Sequence, residues 1–172
     1  MRSQRGFSLI ELLIVVAIIL IIAAIAIPNM LRSRIAANEA SAVQSIRTIN
    51  SAQITYQSTF PTVGFASTLA SLGPSASAGC TTPSSTNACL LDWVLANAAT
   101  NAKSGYLFPA ADFVTVAGGG INVDYTVYAG PAAVNQSGVR GFCSNSDGVI
   151  RFNNPAAAVN TNAACAALTA LQ

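Results

Sequence analysis

Between Leu12 and Ile27 the chain carries no charge and almost nothing but Leu, Ile, Val and Ala. Extended back to Phe7, this run measures about 31 Å as a helix at about 1.5 Å per residue, matching a bilayer hydrocarbon core of about 30 Å. Arg2 and Arg5 precede it, so the positive-inside rule leaves Met1 in the cytoplasm and sends the following residues outward. From Asn29 to Gln172 the chain is poor in charge and rich in Ala, Ser, Thr, Asn and Gly. No second stretch there is long enough to cross a membrane. The pattern predicts one N-terminal span followed by an exported globular part.

Composition narrows the chemistry available to that part. The 172 residues suit one domain with a short extra element. Apolar residues make up 52% and charged residues 8%, against a usual charged share of about 25%, which argues against disorder. Eight Lys and Arg are scattered rather than gathered into the basic patch of a phosphate-reading surface, so no specific nucleic-acid partner is expected. There is no His. Ser–His and Cys–His nucleophile pairs, His-ligated metals and the commonest general base are thereby removed. The chain is expected to be no enzyme, with no catalytic residue, no cofactor and no metal.

Three routes are open for the N-terminus. A cleaved secretory signal has a basic start, a short apolar run and a small-x-small site, and Ala24-Ile25-Ala26 offers one. Against it stand the length of the run and Glu11 within it. A plain anchor has the same difficulty, because an ionisable group in a span is costly and by default points to function. Glu11 lies about one turn beyond Phe7, roughly 6 Å deep, where a side chain still reaches the interface.

The third route rests on a motif. Arg5-Gly6-Phe7-Ser8-Leu9-Ile10-Glu11-Leu12, running through Ile, Val and Ala into Ile27-Pro28, resembles the N-terminus of type IV prepilins and the related type II secretion pseudopilins. The resemblance implies that a prepilin peptidase cuts between Gly6 and Phe7 and methylates the new Phe7 amine. Loss of Arg2 and Arg5 would leave six positive against six negative side chains. A small residue before the cut suits close approach of a membrane protease to the backbone. The family implication for Glu11 is that its carboxylate meets the Phe7 ammonium of a neighbour as subunits enter a filament, where an unpaired charge in a dry core would cost several kcal/mol. Self-pairing four residues back, to Phe7 of the same chain, is the competing arrangement.

The expected organisation follows. Residues 1–6 form the leader, 7–28 a transmembrane and filament-core helix, 29–60 an amphipathic half-helix and 61–172 a globular head. Pro28 lacks an N–H and opposes the carbonyl of Ala24, so a kink or short unwound stretch is expected between Ala24 and Pro28; whether it merely ends the span or lets the helix extend stays open. Ile35, Ala42, Ile46, Ile49 and Tyr56 share one face of a 3.6-residue period, with Arg32, Arg34, Glu39 and Arg47 placed elsewhere on the surface. Arg32 and Arg34 sit just outside the span, solvated by default, with lipid phosphates and later a neighbour's Glu39 as other contacts. Pro61 and Gly64 signal the helix end. Ser45 and Gln53 argue against a coiled-coil seam.

In the head, Thr62–Thr86 reads as irregular and Leu90–Ala99 as a short helix with Leu91, Val94 and Leu95 on one side. Gly105–Ala117 and Ile121–Ala129 read as extended; in the second, Ile121, Val123, Tyr125 and Val127 alternate with polar residues. Arg140–Cys143 and Val149–Phe152 flank the hairpin signal Asn145-Ser146-Asp147-Gly148. The fold class is α+β, similar to the pilin fold: a long N-terminal helix packed on a roughly four-stranded antiparallel sheet. Lys103-Ser104-Gly105-Tyr106 and Gly148-Val149-Ile150-Arg151 carry a further likeness to the head of one bacterial pilin subset. Trp93, Phe108, Tyr125 and Phe142 read as core. Asp147 in its turn lacks the full ligand spacing of a calcium loop.

Four cysteines in an exported domain are expected to pair, and three connectivities are open. The local one, Cys80–Cys89 with Cys143–Cys165, is preferred, and its second bridge is also similar to the C-terminal disulfide loop of many pilins. No paired CxxC spacing supports zinc. Function then reads as a structural subunit of a type IV pilus: an inner-membrane precursor, handled by the prepilin peptidase/methyltransferase and the pilus assembly machinery, that becomes part of a homo-oligomeric surface filament. A type II secretion pseudopilin is the alternative, and a secreted or singly anchored domain a third.

Overall fold

The computed structural model describes residues 7–77, 79–80, 82–109, 114–118 (as backbone) and 120–171. Two units divide the chain, Met1–Arg34 and Ile35–Gln172. Helix α1, Leu9–Thr59, contributes to both.

Between Leu12 and Pro28 α1 is apolar on every side and, but for the half-buried Ala23, exposed. Its backbone stays helical across Ala24–Pro28, so the unwound stretch expected there is absent. Pro28 removes one N–H from the ladder. Unwinding would free further N–H and C=O groups in a segment whose side chains provide no partners for them, which is the larger penalty.

In the second unit the same helix is amphipathic. Ala42, Ile46, Ile49 and Tyr56 are buried, as the periodicity predicts, and Ile35 is half-buried. Val43 and Ala52 widen the buried stripe. Two amides also lie in it, each bonded at both its nitrogen and its oxygen. Gln53 donates through Nε2 to the Ala66 carbonyl (3.1 Å) and accepts the Ala66 N–H at Oε1 (2.8 Å). Asn50 donates to Ser144 Oγ (2.9 Å) and accepts from Tyr125 Oη (2.9 Å). Buried polar groups satisfied in this way cost little and fix register.

Beyond α1 come a 3₁₀ turn at Ala70–Leu72, helix α2 at Trp93–Ala96 and helix α3 at Asn162–Ala166, the last unforeseen in the sequence. The strands are β1 Tyr106–Leu107, β2 Val114–Gly118, β3 Ile121–Pro131, β4 Gly141–Asn145, β5 Ile150–Asn153 and β6 Thr169–Ala170. All pair antiparallel in the order β1-β3-β4-β5-β6, and β2 also pairs with β3. The described residues thus form six strands where about four were expected. The additional β1 and β6 are two residues each, too short to carry an alternation. Residues 110–113, within the predicted extended run from Gly105, lie outside the described residues.

β3 departs from the simple alternation. Ile121 and Val123, expected inward, are exposed, whereas Tyr125 through Ala129 are all buried. The reason is that both faces of its second half are covered. Tyr125, Val127 and Ala129 join Ile46, Ile49, Tyr56, Phe108 and Phe142 in the main core. Tyr128, on the opposite face, packs with Cys143, Val159 and Cys165, partly covered by Leu168. The β4–β5 turn forms as read: Gly148 adopts φ +72° and its N–H meets the Asn145 carbonyl at 3.0 Å. Asp147 accepts the Val149 N–H and pairs with Arg151 at 2.7 Å. Burial pushes its carboxyl up, and these bonds more than reverse this, leaving it below the ordinary range.

Two further corrections concern α2. It is shorter than Leu90–Ala99, with Asp92 capping its first turn by accepting the Leu95 N–H at 2.6 Å. Leu91 and Leu95 face inward, but Val94 is exposed, and Trp93 at 38% exposure is no core residue. A four-residue helix presents one inward side, and Leu95 and Ala96 take it.

The largest correction is Glu39, read as a surface residue and found buried. Its Oε1 accepts the Val139 and Arg140 backbone N–H groups, both at 3.1 Å. Its Oε2 takes Arg140 Nε at 2.9 Å and a terminal guanidinium nitrogen at 2.8 Å. The guanidinium lies 5.4 Å from the Phe142 ring centre and 5.5 Å from that of Phe152. Asn38 Nδ2 donates to the Ser137 carbonyl at 2.8 Å, so neighbouring α1 residues pin the whole β3–β4 connection. Burial raises the Glu39 carboxyl, while the Arg140 side chain and the two amides bring it below its ordinary value of 4.5.

A carboxyl lowered in the native state stabilises fully above its unfolded pKa and loses that contribution as pH falls through the native one. Glu39→Ala should therefore cost about 2 kcal/mol at pH 7, less than for a wholly buried pair because Arg140 is partly exposed. Glu39→Gln should flatten the loss of stability between pH 5 and about pH 3. Urea unfolding of the detergent-solubilised chain across that range checks both. Replacing Cys143 and Cys165 together by Ser should lower stability by about 2–4 kcal/mol in the same assay.

Candidate functional site

The start of α1 is built from local chemistry. Ser8 precedes the first helical residue, Leu9, and its carbonyl accepts the Leu12 N–H at 3.3 Å. Glu11, three residues on, turns its Oε2 back to accept the Ser8 N–H at 3.0 Å. Ser8-Leu9-Ile10-Glu11 has the S-x-x-E spacing of a capping box. A carboxylate in the first turn also faces the positive end of the helix dipole. Sequence reading singled out Glu11 for its charge and missed Ser8, although the capping spacing was there to be found.

Around that carboxylate the surface is apolar in every direction. Phe7 is 80% exposed, and the large side chains from Leu9 to Ile27 are open on all faces. The helix is long and apolar enough to cross a membrane, with a mean hydropathy of 3.3 over its best 18-residue window. An all-round apolar helix is stable only where lipid or protein covers it. One ionised group at the end of such a surface pairs readily with a cation that arrives in the same dry environment, and little else there competes for it.

Of the other residues singled out, Gly6 lies outside the described residues. Pro28 sits inside α1. Arg32 and Arg34 are exposed beyond it, and among the described residues neither has a carboxylate partner. Glu39 is taken by Arg140 of its own chain, so it is not free to receive those arginines from a neighbour. The four cysteines belong to the second unit and are bridged Cys80–Cys89 and Cys143–Cys165, with Cα separations of 5.8 and 6.0 Å. The first bridge closes a surface loop; the second ties β4 to α3. Among the described residues no group of three or more His, Cys, Asp or Glu is placed to hold a metal.

Comparison with known proteins bears on the same end of the molecule. The family model for the prokaryotic N-terminal methylation motif matches residues 1–27. The type IV wide pilus major component PilA4 of Thermus thermophilus is 62% identical over 39 residues, 23% of this chain and 30% of that protein. The type IV major pilin protein PilA of Myxococcus xanthus is 48% identical over 50 residues, 29% of this chain and 23% of that protein. The matches thus span less than a third of either relative. No solved structure matches significantly. In its N-terminal methylation motif, and over the stretches matched to two major pilins, the chain is thus similar to type IV pilins.

Proposed function

We propose that this chain is a structural, non-enzymatic subunit of a type IV pilus. Residues 1–6 are the leader, residues 7–28 the membrane and filament-core segment, residues 29–60 the helix that carries the head, and residues 61–172 the head itself. A prepilin peptidase removes the leader between Gly6 and Phe7 and methylates the Phe7 amine. The precursor rests in the inner membrane until the pilus assembly machinery moves it into a homo-oligomeric surface filament.

The observation that carries this reading is a lone carboxylate, Glu11, four residues after Phe7 at the start of the part of α1 whose large apolar side chains are exposed all round. In the free subunit its one hydrogen-bond donor among the described residues is the Ser8 amide. Methylation keeps the positive charge on the Phe7 amine, so a neighbour's terminus offers Glu11 a stronger, charge-assisted partner. The pair forms only when two subunits reach the correct axial offset, and it sets register between copies. Pro28 is the place where the helix would bend or extend under that packing, because one hydrogen bond is already missing there.

Glu11→Val should leave a processed, membrane-resident subunit that yields about tenfold less sheared filament, measured by immunoblot of the pelleted fraction. Filament yield equal to the parent would remove the pairing role. Gly6→Glu should block maturation, so that mass spectrometry of the membrane fraction finds the full-length precursor. Mature chains beginning at methylated Phe7 in that variant would show that the cut does not need a small residue there.

A further inference from the structure

Among the described residues of the second unit, two pairs of charges meet in salt bridges and four charges have no charged partner. Glu39 is held by Arg140 and Asp147 by Arg151. Asp124 is enclosed by the Tyr125 and Ser146 amides and Asn162 Nδ2, and Lys103 is bonded to Ser45 Oγ at 3.3 Å. Arg47 and Asp92 remain. Arg47 is exposed on α1 with no hydrogen-bond or ion-pair partner among the described residues. Asp92 is exposed at the start of α2; its Oδ1 caps the Leu95 amide, and among the described residues no cation meets its carboxylate.

Each of these charges stands beside uncovered apolar surface. Ile54, seven residues and two turns beyond Arg47, shares its side of the helix and is 64% exposed. Asp92 is followed by Trp93 and Val94, 38% and 54% exposed. Exposed Trp and Arg side chains are among the residue types that interfaces favour.

We propose that the Arg47–Ile54 side of α1 in one copy docks on the Asp92-Trp93-Val94 corner of a second copy. Arg47 meets the Asp92 carboxylate through a charge-assisted bond and lies against the Trp93 ring, while Ile54 covers Val94. The two surfaces are different patches of one molecule, so the contact is heterologous. Each copy offers one of each, so the contact can repeat from copy to copy, as an open filament requires. The occupant is a second copy rather than another protein because this chain holds both halves of the match in charge and in apolar character. The inference rests on the filament reading and adds a contact between copies that does not involve Glu11 or Phe7.

The test uses filaments sheared from cells producing the full chain. Arg47→Asp and Asp92→Arg should each reduce the pelleted filament about tenfold, and the two combined should recover it to within about twofold of the parent. Asp92→Asn, which keeps a good helix cap and removes only the charge, should also reduce it. Full filament yield from Arg47→Asp, or a combined variant no better than its single components, would overturn the contact. Were the unsubstituted chain to give no filament, the filament reading itself would fall, and this proposal with it.

Discussion

The first half of α1 has to be covered on all sides, and that requirement governs the rest of the molecule. Its side chains are Leu, Ile, Val and Ala around the whole circumference. In water each open aliphatic side chain forgoes about 1.5–3 kcal/mol of burial. Lipid or a bundle of like helices removes that penalty, and each does so without supplying polar partners. A helical backbone that satisfies its own hydrogen bonds is the one conformation open to it, which is why even Pro28 leaves it wound. Glu11 is exceptional against that background, and it is held by the cap it forms with Ser8.

The second half of the same helix meets a different constraint: it must be fixed against a sheet whose strands come from far along the chain. Aliphatic contacts from Ile46 and Ile49 provide burial but little orientation. Orientation comes from hydrogen-bonded polar groups. Gln53 grips the Ala66 backbone, Asn50 joins Tyr125 to Ser144, and Glu39 holds the loop before β4 through two amides and a guanidinium. These are directional bonds in a dry setting, and a rotation of α1 by one residue would leave each of them unpaired.

What could be read directly from the residues were features that depend on near neighbours. The long helix, its buried row from Ala42 to Tyr56, its end before Pro61 and the Asn145–Gly148 turn all follow from spacing within a few positions. The capping of Ser8 by Glu11 is equally local, carried by the S-x-x-E spacing. Glu39 was not legible in this way. Its partner lies 101 positions away, and nothing in the residues around it separates a solvated carboxylate from a buried one. The exposure of Ile121, Val123, Val94 and Trp93 was hidden for a related reason: hydrophobic type says what prefers burial, whereas coverage depends on which other elements arrive.

By itself the sequence determined that this chain has an apolar stretch near its start, a single carboxyl group near the beginning of that stretch and a charge-poor head with four cysteines. Each of these is a property of residue type and spacing, and a chain cannot hide them by folding. Tertiary structure alone decided that the second half of β3 is buried on both faces, that Glu39 belongs to Arg140, and that, among the described residues, Arg47 and Asp92 are left without charged partners. Those outcomes depend on contacts between residues scores of positions apart, and such contacts exist only once loop closure has been overcome by the burial and hydrogen bonds they create.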